Sequence, residues 1–457
     1  MTETEIGRLT AAEIAKRIRA GGLSPVAAVE ACLARIAETE PALRAWVHLD
    51  TEGALKAARA LEAEGRAGRL RGPLHGVPVG IKDIYHVAGM VTTAGAGAFA
   101  HERPAADATA VARLRAAGAV ILGKTATTEF AYADPAETRN PWNLDHTPGG
   151  SSSGSAAAVA AGMIPLALGS QTVGSTLRPA AYCGVVGLKP THGRISAAGV
   201  VPLAWSLDHV GIFARCVEDA GLALSVLAGH DPADGFSAAV PAGDYLGALA
   251  PFERPPRLGI PRDLFGDKAS PEVNAHLEAI ASAFAKAGAA VEAVSLPPSA
   301  AAIHDAGQLV MRVEAAAFHR DRFARHRDAY RPKIRGLIEE GLAIPGVEYV
   351  CAQQARRTFR EEVTPLFGRY DALLMPVAPT TAPKGLTWTG DPGLCAPWSF
   401  SGLPAIALPS GLAQDGLPLS IQLVTAPFSE DRLLGVARWC EAALNFTAAP
   451  RLEAISA

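Results

Sequence analysis

Charge is what this sequence has little of. Only 19% of its 457 residues are charged, and 42 Lys+Arg stand against 45 Asp+Glu, a net charge of −3. A balance this close to neutral, with no basic stripe, argues against nucleic acid as the primary partner. Long apolar runs are lacking too: none reaches the ~18 residues that a membrane helix needs. The most apolar block, 156–169, is alanine-rich and broken by Gly162 and Pro165. The first residues, Met1-Thr2-Glu3-Thr4-Glu5, are acidic and carry no apolar signal region. Cysteine is sparse. The six (Cys32, Cys183, Cys216, Cys351, Cys395, Cys440) show no metal or redox spacing and read as core thiols in a reducing cytoplasm. Apolar residues, at 49%, are plentiful enough for a deep core and against disorder. These features together predict a soluble, globular, cytoplasmic enzyme without membrane segments.

The chain alternates helix and strand signals. Ser24 before Pro25 is a helix N-cap with proline at the first helical position, and 51–64 is an alanine-rich helix after a strand within 44–50. Residues 77–84 read as a buried strand, 107–117 as a helix stopped by Gly118, and 119–122 as a short apolar strand. Later signals are helices at 217–228 and from Ser270-Pro271 to 287, and strands at 257–261, 290–294, 371–377, 405–409 and 419–424. Such alternation predicts an α/β fold, one large domain with a central mixed sheet covered by helices on both faces. Within 1–457, residues 1–65 form an N-terminal helical segment, and the charged stretch 300–360 reads as a peripheral helical insertion. No repeat and no separating linker appears.

Three motifs compete for the chemistry. Gly118-Ala-Val-Ile-Leu-Gly123-Lys124-Thr125 matches the phosphate-loop pattern, yet its interior residues are strand-formers and a helix precedes it, the reverse of what a phosphate cradle needs. Gly150-Ser151-Ser152-Ser153-Gly154 fits a nucleophile elbow, but a loop with Pro141 and Pro148, not a strand, leads into it. The third candidate is the whole block 149–193. It holds a serine-bearing glycine turn, an alanine-rich helix, an apolar strand at 164–168, and a second turn, Gly169-Ser170-Gln171-Thr172-Val173-Gly174-Ser175. A flexible Ser/Gly linker would not run into a helix and a strand. Two such turns around one helix and one strand form a place where backbone amides converge.

This block resembles the amidase signature, and the resemblance extends over nearly the whole chain. Gly76-Val77-Pro78-Val79-Gly80-Ile81-Lys82-Asp83 is similar to the family's lysine strand; Ser206-Leu207-Asp208-His209-Val210-Gly211, Gly402-Leu403-Pro404-Ala405-Ile406 and Gly416-Leu417-Pro418-Leu419 also match. The resemblance implies a Ser–Ser–Lys triad with Ser175 as nucleophile, Ser151 as bridging serine after a cis peptide, and Lys82 as base. It implies an oxyanion hole from the N–H groups of Thr172, Val173, Gly174 and Ser175, with Val173 where the family commonly has glycine. No metal and no cofactor is implied. The chemistry of the residues agrees: a serine hydroxyl needs a neighbouring base, and a lysine serves as one only when burial keeps it neutral. Alternation along the strand turns Asp83 to the opposite face from Lys82.

The implied reaction is cleavage of a carbon–nitrogen bond in an amide, anilide or carbamate (urethane) through an acyl-enzyme on Ser175. Arg178 resembles the arginine with which malonamidase-like members hold a substrate carboxylate, a task that suits a bidentate guanidinium. Tyr132 and Trp398, with Trp142, are aromatic candidates for a pocket wall. The expected partners are a small-molecule amide or carbamate and, at most, a second copy in a homodimer, with no nucleic acid and no membrane. The alternative is the glutaminase component of a tRNA-dependent amidotransferase, which shares the signature and passes ammonia onward.

Overall fold

A computed structural model describes residues 1–97, 103–250 and 254–452. Eleven strands form one sheet: β1 (Trp46–Leu49), β2 (Pro78–Lys82), β3 (Val120–Thr125), β4 (Leu166–Gln171), β5 (Val186–Lys189), β6 (His209–Ala214), β7 (Arg257–Ile260), β8 (Ala290–Ala293), β9 (Ala372–Pro376), β10 (Ala405–Leu412) and β11 (Pro418–Val424). Their order is β1-β3-β2-β4-β6-β5-β10-β11-β9-β7-β8. The sheet is mixed. β2 runs parallel to β3 and β4, and β7 parallel to β8 and β9, while β6, β5, β10 and β11 pair antiparallel with their neighbours. Helices flank it, giving the single-domain α/β architecture that the alternation predicts.

Burial follows position in the sheet. Every residue of β2 to β6 is buried, as a strand covered on both faces requires, whereas the edge strands β1 and β8 are partly exposed. Helix ends follow the capping chemistry. Ser24 Oγ accepts from the N–H groups of Val26 and Ala27 to open helix Pro25–Leu43, and Ser270 Oγ accepts from Val273 to open Pro271–Lys286. Before β2 the helices are Glu3–Gly7, Ala11–Arg19, Pro25–Leu43 and Thr51–Arg66, with β1 set among them. The charged stretch near 300–360 forms helices Ala300–His326, Pro332–Ala343 and Gly346–Val363. Their inner faces carry Glu314 and Arg356 onto the loop before β6. Among the described residues, no helix is long and apolar enough to cross a membrane.

The phosphate-loop letters fold into β3, and Lys124 is wholly buried against Asp83, Nζ to Oδ1 2.7 Å. Lys124 also donates to Thr92 Oγ1 at 3.0 Å. This lysine serves an internal ion pair. Lys124→Ala is expected to destabilise the protein by about 3–5 kcal/mol, because it strands the Asp83 carboxylate in the core; urea unfolding checks this, and a loss under about 1 kcal/mol would contradict it.

Candidate active site

The parallel strands β2 and β4 end side by side, with Ile81 paired to Leu168, so Lys82 and Ser170 lie together at their carboxyl ends. In open α/β sheets this end is where ligands bind. Lys82, 0% exposed, donates from Nζ to Ser151 Oγ at 2.7 Å and to Ser170 Oγ at 2.7 Å. Burial pushes its ammonium well below the usual lysine range, while the charge of Asp208 works in the other direction. A lysine shifted in this direction gives up its proton more readily than an exposed one, and it stands beside a serine hydroxyl. Asp83, on the opposite face, takes Lys124 and Thr93 as partners.

The serine-rich turn distributes its hydroxyls unequally. Ser152 Oγ donates to Ser170 O and accepts from Ser170 N, both at 3.2 Å; Ser153 Oγ donates to Gly149 O at 2.7 Å, and Ser155 Oγ to Leu168 O at 2.8 Å. Ser152 and Ser155 therefore fasten the turn and helix Ser153–Ala160 to β4, Ser153 closes the turn on itself, and Ser151 faces the lysine. The bond between Gly150 and Ser151 is cis. Gly154 has no room for a side chain, since a Cβ there would stand 2.1 Å from Ala45 O. Ser152, in the elbow position, is wholly buried with its hydroxyl engaged on both sides.

Ser175, 8% exposed, closes the second turn, between β4 and helix Leu177–Cys183. Gln171 shapes that turn: its Oε1 accepts from the N–H groups of Thr176 at 2.8 Å and Leu177 at 2.9 Å, and its Nε2 donates to Ser399 Oγ at 2.8 Å. Ser399 Oγ in turn donates to Val173 O at 2.6 Å. Among the described residues, the N–H groups of Thr172, Val173, Gly174 and Ser175 find no protein acceptor. Val173 lies outside the left-handed region, so its β-branch fits where the family commonly has glycine. Gly174 is required by crowding: a Cβ would meet Pro392 Cβ at 2.8 Å.

The structure brings Lys82 and Ser151 into contact, places the free N–H turn at Ser175, and joins Arg178 and Trp398 to protein partners. Arg178 is buried, with Nη2 donating to Gly150 O at 2.6 Å and Thr389 Oγ1 at 3.2 Å, and Nη1 donating to Gly390 O. Its terminal nitrogens are thus committed to protein oxygens. Trp398 is wholly buried and its indole N–H donates to Met375 sulfur at 3.1 Å, a core placement. Tyr132 is half-buried, and its carbonyl accepts from Thr128 Oγ1. Sequence reasoning missed Ser170, Gln171, Ser399 and the role of Asp208, whose Oδ1 accepts from Thr172 Oγ1 at 2.5 Å. Ser170 and Gln171 stand inside the block singled out for its turns, but only the β2–β4 register shows what they touch.

Comparison with known proteins extends this site to a family. The profile described as Amidase matches residues 27–434. The A-type component of a glutamyl-tRNA(Gln) amidotransferase from Chloroflexus aggregans is 39% identical, covering 95% of this chain and 96% of its own. A structure described as a vestigial protein complex that reveals the origins of an s-triazine catabolic enzyme superposes with a TM-score of 0.89 at 32% identity, over 97% of this chain and 100% of its own. Native peptide amidase from Stenotrophomonas maltophilia superposes with a TM-score of 0.84 at 32% identity, over 97% and 98%. These relatives correct one expectation. A small-molecule substrate with no nucleic acid does not fit kin named for tRNA and for a place in a larger assembly, because near-neutral net charge reports only on electrostatic capture and not on partners reached through other proteins. None of the relatives named here acts on carbamates by its name, so the urethane expectation gains nothing. With a profile match across most of its length, relatives of equal length and the same fold, this chain belongs to the amidase signature family of enzymes acting on carbon–nitrogen bonds.

Proposed function

We propose that the chain cleaves a primary amide through an acyl-enzyme on Ser175, and that it does so as the ammonia-releasing component of a tRNA-dependent amidotransferase, with glutamine as donor. The observation that carries the chemistry is the buried Lys82 at 2.7 Å from Ser151. Neutral Lys82 takes the Ser151 proton as Ser151 takes that of Ser175, and Ser175 Oγ forms a bond to the amide carbonyl carbon. The negative charge that develops on the carbonyl oxygen is met by the free N–H groups of 172–175, donors aimed at charge that appears only in the tetrahedral intermediate. The C–N bond then breaks, the relay returns the proton to the leaving nitrogen, and ammonia departs. Water attacks the Ser175 ester by the same route and frees the acid.

The amidotransferase reading is supported by the full-length likeness to a component of such an enzyme. The description of the s-triazine relative as part of a protein complex points the same way. The six unpaired cysteines suit the reducing cytoplasm, where such an assembly works. Ammonia release from glutamine by the chain, alone and with its companion proteins and glutamyl-tRNA, tests it. Stimulation by the companions is the expected result. Cleavage of simple amides by the chain alone, with no glutamine turnover in any combination, would make it a free-standing amidase instead.

In this scheme Arg178 acts as scaffold, tying the Gly150 carbonyl to the 389–390 segment. Arg178→Ala is expected to lower turnover of anionic and neutral amides together and to reduce the melting temperature. It leaves buried carbonyls unpartnered, at about 1–3 kcal/mol. Loss confined to anionic amides, with stability unchanged, would return Arg178 to the carboxylate-binding role.

A further inference from the structure

We propose that Asp208 is a positioning residue for this reaction, holding the first residue of the N–H turn and setting the charge state of the base from behind it. The inference rests on the acyl-transfer reading above. Asp208 Oδ1 accepts from Thr172 Oγ1 at 2.5 Å, and Oδ2 accepts from the N–H groups of Leu203 at 2.8 Å and Ala204 at 3.0 Å. Thr172 opens the run of four N–H groups without acceptors, so this carboxylate fixes one end of the run, while Ser399 fixes Val173 from the other side.

Asp208 also looks toward the base. A cavity of about 10 Å³ has Ser170, Asp208, His209, Tyr85 and Ala131 in its wall, and Ser170 is the second hydroxyl on Lys82 Nζ. The carboxylate thus stands across this small space from Ser170, the hydroxyl that Lys82 holds, and the lysine itself is wholly buried, where charge–charge interaction is stronger than in water. Its loop is held from the helical layer: Ser206 Oγ donates to Glu314 Oε1 at 2.6 Å, and Arg356 Nη2 donates to Ser206 O at 2.8 Å. The charged and titratable groups around Asp208 are Lys82 at the end of β2 and Tyr85 just after it, Glu314 and Arg356 from the helices, and its neighbour His209. Burial raises its carboxyl to about 6, with the Thr172 hydroxyl opposing, so near neutral pH it is an anion that favours protonated Lys82.

The test is the rate at which a fluorophosphonate labels Ser175, followed against pH in Asp208→Asn, Thr172→Val and Thr172→Ser, with melting temperatures alongside. Asp208→Asn removes a charge that holds the proton on Lys82, so the acidic limb should move to lower pH. Its plateau rate should fall by about tenfold or more as the turn loosens. Thr172→Val should lose plateau rate without moving the limb, and Thr172→Ser should restore it. A folded Asp208→Asn protein with the wild-type limb and plateau would overturn the proposal. If Asp208→Asn does not fold, equal plateau rates for Thr172→Val and Thr172→Ser would overturn it. Wild-type protein that is not labelled at Ser175 would instead defeat the acyl-transfer reading beneath it.

Discussion

Lys82→Ala should slow amide turnover roughly 10³-fold or more while leaving the protein folded, the scale of loss seen when a serine hydrolase is deprived of its activating base. The effect should fall on kcat, since Lys82 is wholly buried and acts through Ser151. Its pH signature follows from the direction of its shift. Burial lowers the Lys82 pKa below its unfolded value, so the folded state holds fewer protons than the unfolded chain. Keeping this amine neutral therefore costs stability at all pH values below the unfolded lysine range, and the cost disappears as pH rises through it. Lys82→Met, which fills the space without an amine, should be more stable than wild type at neutral pH yet inactive, a trade of stability for function. Equal activity in folded Lys82→Ala and wild type, at any pH, would remove Lys82 from the relay.

Ser175→Ala should abolish turnover altogether, to the limit of detection, with the N–H turn and its Gln171 anchors intact. What remains of catalysis in triad-deleted hydrolases comes from oxyanion stabilisation and binding, residual rates about 10³–10⁴ over water that a steady-state amide assay does not register. The Ser151→Ala variant should be only slightly more active, because the three groups act as one relay and their losses do not add. Substrate affinity provides the control. Ser175→Ala should still bind its amide, measured calorimetrically, whereas a variant that collapsed the pocket would not.

Local signals foretold local structure well. The Ser24-Pro25 and Ser270-Pro271 caps mark real helix starts. The first of these helices runs through Pro41 to Leu43, and the Glu40 carboxylate accepts from Ala45 and Trp46 at its exit. Thr10 and Glu13 form a capping box that opens helix Ala11–Arg19, a start that the sequence analysis did not single out. Strands β5 and β6 carried no alternation to read, being buried on both faces at the middle of the sheet. Of the candidate site, Lys82, Ser151 and Ser175 are singled out by residue chemistry and family resemblance, and the structure sets the first two in contact. Its supports were not legible in the sequence. Ser399 reaches Gln171 across 228 positions, and Ser170 meets Lys82 across 88, pairings that only strand order creates. For Arg178 and Trp398 residue type suggests a task, but only the structure shows that their donors meet protein acceptors.

The central claim is that the acyl group is carried on Ser175. Treating the full-length protein with a serine-directed phosphonate and mapping the adduct by peptide mass spectrometry addresses it directly. One adduct per chain, on Ser175, absent from Ser175→Ala and strongly slowed in Lys82→Ala, is the expected result; a stoichiometric adduct on Ser152, or one that persists in Ser175→Ala, would contradict it.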